Sequence, residues 1–98
     1  MAVVEWVGAH RRALASAGIS VAAPAWSPVD FVPSSVSFAF ESQAGLGQLT
    51  VWETTDAELL WMRWGEREPT VRSLTIADRT GLDRAVGLLT GAIAAPAR

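Results

Sequence analysis

Polar and apolar positions alternate from Ser35 to Glu41: Val36, Phe38 and Phe40 fall on one side, and Ser35, Ser37, Ala39 and Glu41 on the other. A period of two is that of a half-buried strand. "QLTVWE" repeats the pattern, with Leu49 and Val51 opposed to Gln48, Thr50 and Trp52. "AELLWMRW" predicts a third strand and "TVRSLTI" a fourth. Between them stand "QAGLG", "TTD" and "GEREP", which carry the small, polar and Pro residues of turns. Connections this short predict an antiparallel meander.

The flanks change period. Over residues 2–17, Val3, Val7 and Leu14 form one stripe, with Val4 beside them and Arg11 and Arg12 toward the polar side, as in an amphipathic helix. Gly18 suits the C′ position that ends it, and Ile19 the apolar contact of a Schellman motif. Pro24, Pro28 and Pro33 exclude a helix or a central strand from the stretch after it. That stretch reads as an extended connector pinned by Val21, Trp26 and Phe31. Near the end, Thr80 and Asp83 have capping-box spacing. Leu82, Val86, Leu89 and Ile93 then form a helical stripe toward Ala95, and Pro96 stops it. The order α-β-β-β-β-α predicts an α+β fold, with a four-stranded antiparallel meander and both helices packed on one face.

With 98 residues, the chain is expected to be a single domain spanning 1–98. Half the residues are hydrophobic and the net charge is −2, which fits a folded protein and favours neither nucleic acid nor an anionic membrane. Cysteine is absent, so disulfides and thiolate chemistry are excluded. The apolar start is broken by Glu5, His10, Arg11 and Arg12, unlike a signal peptide, and no run has transmembrane length. A cytoplasmic location is the expectation.

Candidate chemistry is sparse. His10 is the one histidine, beside two arginines on the first helix, where a solvated or boundary role is expected. No G-x-S-x-G elbow is present, and "GLGQLT" leads into a strand without the Lys-Ser/Thr of a phosphate loop. Glu53, Asp56 and Glu58 straddle a turn without the ordered oxygens and glycine of a calcium loop. The arginines are scattered among acids, without an RNA-binding aromatic motif. No catalytic residue, metal site, cofactor or nucleic-acid partner is therefore predicted.

The hairpin "LTVWETTDAELLWMRWGERE" holds three of the five tryptophans and, from Glu53 to Glu68, five of the ten acidic residues. Both faces of its third strand are largely apolar, yet the helices cover only one. If Leu49, Val51, Leu59 and Trp61 join Phe38 and Phe40 under the helices, Trp52, Leu60, Met62 and Trp64 lie on the other face. Either the connector covers that face through Trp26 and Phe31, or it is an open patch of the kind that marks an interface. An apolar centre with an acidic rim suits a basic partner.

"LGQLTVWETTDAELLWMRWGERE" resembles the G-x-(I/L)-T-V-W-E-x-G-x-x-x-L core of the TriTu family of small immunity proteins. Thr55 stands where that pattern has glycine, and Trp61 and Trp64 are bulkier than it expects. The N-terminal helix with a Trp, the proline-containing connector and the C-terminal amphipathic helix agree in order. The resemblance implies a non-enzymatic protector made beside a toxin of an interbacterial competition or contact-dependent inhibition system. It would bind the cognate toxin domain, often a basic nuclease, and block it. The expected partner-binding residues are Trp52, Met62 and Trp64 as anchors, with Glu53, Glu58, Glu66 and Glu68 as charge partners, in a monomer or weak homodimer. Rival readings are a secretion chaperone or adaptor for an effector, a small structural interaction module, and an enzyme with a pocket under the connector.

Overall fold

A computed structural model describes residues 2–28, 30 and 32–94. The elements are α1 (Ala2–Ser16), β1 (Ser20–Val21), β2 (Ala25–Trp26), β3 (Ser35–Glu41), β4 (Gly45–Trp52), β5 (Asp56–Arg63), β6 (Thr70–Thr75) and α2 (Arg79–Ala92). The fold is α+β, and the four long strands β3 to β6 form the expected antiparallel meander. The connector adds what periodicity alone does not show. β1 and β2, two residues each, pair antiparallel with the outer edge of β3 and enlarge the sheet to six strands. Proline lacks the ladder donor, so pairing is confined to the short stretches either side of Pro24, on an edge.

Each helix end has a local cause. At the end of α1 the Gly18 amide donates to Ala15 O at 3.0 Å and the Ile19 amide to Leu14 O at 2.9 Å. Gly18 has φ +83° and Ile19 is buried, which together make the Schellman motif. The start of α2 corrects the sequence reading. Its N-cap is Asp78, whose carboxylate accepts from the Gly81 amide at 2.8 Å. Thr80 already lies inside the helix, and Asp83 accepts a hydrogen bond from the Trp6 indole Nε1 at 2.6 Å. Two acceptors, Asp78 and Asp83, stand near the helix start; the extended backbone at 78 decides which one caps.

One apolar cluster unites both helices with one face of the sheet. Trp6 and Val7 of α1, and Leu82, Ala85, Val86, Leu89 and Ile93 of α2, pack with Val36, Phe38, Phe40, Leu49, Val51, Ala57 and Leu59. Each large aliphatic or aromatic side chain buried this way contributes about 1.5–3 kcal/mol. Trp61, Leu74 and Ile76 join the cluster from positions that stay partly accessible. Trp61 is thus a border residue of the core, where the alternation placed it on the core face. Register fixes the rows: Phe38, Leu49, Leu59 and Arg72 stand side by side, as do Val36, Val51, Ala57 and Leu74.

Two glycines set the closeness of this packing. The stretch "QAGLG" reads as a turn, but β4 begins at Gly45 and the turn shortens to the residues before it, closed by Ser42 N donating to Gly45 O at 2.9 Å. Strand glycines often mark close approach, and both do here. A Cβ on Gly45 would overlap the backbone of Met62 and Arg63. A Cβ on Gly47 would lie 2.6 Å from Leu89 Cδ1 and 3.3 Å from the Leu60 carbonyl. Leu89 therefore seats directly over the β4 backbone.

Among the described residues no helix is long and apolar enough to cross a membrane. The side chains of Val3 and Phe31 and the helix stop at Pro96 lie outside the described residues. A paired substitution tests the glycine argument. Gly47→Ala should destabilise by about 1–3 kcal/mol, since Leu89 is fully buried and must shift. Gly87→Ala, on the exposed side of α2 with open space at its Cβ, should stabilise by about 1 kcal/mol. Denaturant melts of the two variants check the pair; equal effects would remove the special role of position 47.

Candidate functional site

The second face of the sheet carries no covering element among the described residues. Paired residues share a face, so its rows follow from the register. Leu46 stands opposite Met62, and Gln48, Leu60 and Val71 form the next row. Then comes a polar row of Ser37, Thr50, Glu58 and Ser73. Thr50 Oγ1 shares a 3.0 Å hydrogen bond with Ser37 Oγ and accepts from Gln48 Nε2 at 3.2 Å. Trp52 lies beyond this row, opposite Ser35. The face is therefore divided: an apolar half around Leu46, Leu60, Met62 and Val71, and a hydroxyl-rich half ending at Trp52. Val71 is 52% exposed, and the other three apolar side chains are half-buried by their neighbours.

Trp26 does not cover this face. It pairs with Val36, a core residue, so its register assigns it to the helix side, and it is 56% exposed at the sheet edge. Phe31, the other proposed cover, is not among the described residues.

The residues expected to bind a partner are spread along the hairpin. Glu58 and Met62 are on the open face. Trp64 lies one residue past the end of β5, in the turn, and not on the strand face with Met62. It is held against the β3–β4 turn: its amide donates to Ala44 O at 3.0 Å and its indole Nε1 to Ser42 O at 3.3 Å, while the ring stays 49% exposed. Glu66 accepts from the Arg63 amide at 2.6 Å and so closes that turn, and Glu68 is exposed beyond it. Trp52 and Glu53 stand at the opposite end of the hairpin, about 23 Å away by the rise of an eight-residue strand. Leu46 and Val71 belong to the open patch but escape the sequence reading, Leu46 because two glycines disguise a strand position as a turn.

At the Trp52 end the chain makes a tight turn in which the Thr55 amide donates to Trp52 O at 2.9 Å. Thr55 has φ +74°, a left-handed conformation rare for a β-branched residue and ordinary for glycine. This is the position at which the TriTu pattern has glycine. The Thr55 carbonyl then accepts from the Ile76 amide at 2.8 Å, tying the turn to the segment that leads into α2. Glu53 Oε2 accepts from Ser34 Oγ at 2.8 Å.

Turn, α1 and the start of α2 enclose a cleft of about 350 Å³. Trp6, Val51, Ile76 and Leu82 supply its apolar lining, and Trp52 borders it. Glu5, Glu53, Asp78 and Arg79 are its charged residues. Of the expected site residues only Trp52 and Glu53 belong to it; the rest of the cleft comes from chain segments far apart in sequence.

His10 is exposed and engaged on its own helix. Its ring stacks on Trp6 with centroids 4.0 Å apart, and Nδ1 donates to the Trp6 carbonyl at 2.8 Å. The acids Glu53, Asp56 and Glu58 are separated by the turn and the strand pleat, with Thr54 Oγ1 donating to Asp56 at 3.1 Å. Among the described residues no three His, Cys, Asp or Glu side chains are grouped to hold a metal ion. In comparisons with protein-family models, curated proteins and solved structures, nothing matches the chain.

The geometry of the hairpin yields two stability predictions. Trp61→Ala should cost about 2–3 kcal/mol, less than a fully enclosed tryptophan, while Trp64→Ala should cost about 1 kcal/mol or less. Thermal melts check the order, and a larger loss at Trp64 would make that side chain part of the core. Thr55→Gly should stabilise by about 0.5–1 kcal/mol, because relief of the left-handed strain exceeds the added chain entropy of glycine. A lower melting temperature would show that position 55 is not strained.

Proposed function

We propose that this chain is an immunity-type binding protein that neutralises a cognate bacterial toxin domain by stoichiometric blocking, from the cytoplasm of the cell that makes both. One observation carries the reading: a sheet face that no described element covers, with a cluster of Leu46, Leu60, Met62 and Val71 bordered by Glu41 and Glu58. Water-exposed apolar clusters with a charged rim favour burial against a partner, and the acids favour a basic one. The resemblance of "LTVWE" and its surroundings to the TriTu core names the class of partner. Four of the eight fixed motif positions have structural work to do: Leu49, Val51 and Leu59 are core, and Gly47 admits Leu89. The motif thus describes the hairpin that presents the face, and the face itself supplies contacts particular to one partner.

A second reading, an adaptor that works as a dimer, draws on β6. Among the described residues this strand is a free edge of the sheet, with five of its six residues exposed. Unpaired edges accept further strands. Sedimentation separates the two: the immunity reading expects a monomer or weak dimer that forms a one-to-one complex with the toxin.

The decisive experiment is co-production with the toxin domain encoded beside this chain. Growth protection and a one-to-one complex are expected. Val71→Lys and Glu58→Lys should weaken the complex at least tenfold without lowering the melting temperature, and Met62→Ala should cost about 1–2 kcal/mol of binding. The Glu58→Lys effect should shrink at high salt. Full protection by all three variants would remove the open face from the function, and absence of an adjacent toxin would remove the immunity reading.

A further inference from the structure

We propose that the cleft between α1, the β4–β5 turn and the start of α2 is a socket for one arginine side chain of the partner protein. The inference rests on the binding-protein reading above and adds a second contact point to it, at the opposite end of the hairpin from Met62. Three features select this occupant. The cleft has an apolar lining made by Trp6, Val51, Ile76 and Leu82, which suits the methylene stem of a long side chain. Its charged residues are three carboxylates, Glu5, Glu53 and Asp78, against the single cation Arg79. The excess is negative, so a cationic head is attracted and an anionic one repelled. Its aromatic residues, Trp6 and Trp52, favour a guanidinium over an ammonium, because the planar group stacks on rings and forks onto carboxylates.

The site is also held in shape. Trp6 is fixed from two directions, by the 2.6 Å bond to Asp83 and by the stacked His10 ring. Asp78 is fixed as the N-cap of α2, and Glu53 is oriented by Ser34. The Thr55 turn is tied to Ile76 by its carbonyl. Side chains already positioned lose little freedom on binding, which raises the affinity available to a single anchor. Arg79, which opens α2, and the positive N-terminal end of that helix, offset by the Asp78 cap, oppose the occupant.

The test needs no partner in its first arm. The probe is N-acetyl-arginine N-methylamide, titrated into the folded chain while the indole N–H signals are followed by NMR. The signals of Trp6 and Trp52 should shift saturably, with about millimolar affinity for so small a ligand, while those of Trp26, Trp61 and Trp64 stay in place. The citrulline analogue, equal in shape but uncharged, should bind at least about tenfold more weakly. Glu53→Gln should weaken the arginine probe about threefold and Arg79→Ala should strengthen it by a similar factor, as expected for exposed ion pairs. In the second arm, Glu53→Gln should also weaken the complex with the adjacent toxin domain. Equal binding of arginine and citrulline analogues, or shifts of all five indoles together, would overturn the socket. So would a toxin complex indifferent to Glu53→Gln, even where Val71→Lys abolishes it; that result would leave the open-face reading standing and remove the cleft alone.

Discussion

Leu89 of α2 rests on the backbone of β4 because position 47 has no side chain. Much of the architecture depends on that contact. It brings the helix close enough for Val86 and Ile93 to be buried with Leu89, and it commits α2 to one side of the sheet. The bond from Trp6 to Asp83 clasps α1 to the same helix, so both helices share that side. Among the described residues there are two helices, so the other face has no second layer there. The open face is thus a consequence of how the core is closed.

The open face is not uniformly sticky. The row of Ser37, Thr50, Glu58 and Ser73 crosses it and satisfies several of its own hydroxyls, leaving the apolar cluster on one side. A polar row through a sheet face limits the contiguous apolar area exposed to water, which favours solubility. The sheet edges are treated unequally as well. β1 and β2 occupy the edge of β3 with four residues in all, while the outer edge of β6 has no strand partner among the described residues.

The hairpin has two distinct ends because a strand of eight residues separates them. Trp52 and Glu53 belong to the cleft with residues of both helices' first turns. Met62 belongs to the open cluster, and Trp64 and Glu66 mainly fix the turn beyond it. Residues close in composition and in sequence thus do different work. The tryptophans divide the same way: Trp6 is buried, Trp61 borders the core, and Trp64 leans on a neighbouring turn.

The sequence by itself determined the α+β order, the meander, the buried stripe Leu82, Val86, Leu89 and Ile93, and the Schellman end at Gly18 and Ile19. These are local or periodic properties, set by side-chain alternation and by the backbone freedom of single residues. It also separated Leu60 and Met62 from the core face, because a strand's two faces follow from parity. Only the tertiary structure decided that Leu46 and Val71 complete the open cluster, since register depends on turn length and on glycines that read as turn residues. Only it gave Asp78 the capping role and Asp83 to Trp6, 77 positions away. The cleft was invisible in the chain for the same reason: its walls come from α1, the β4–β5 turn and the start of α2, and no local pattern records which distant segments a fold brings together.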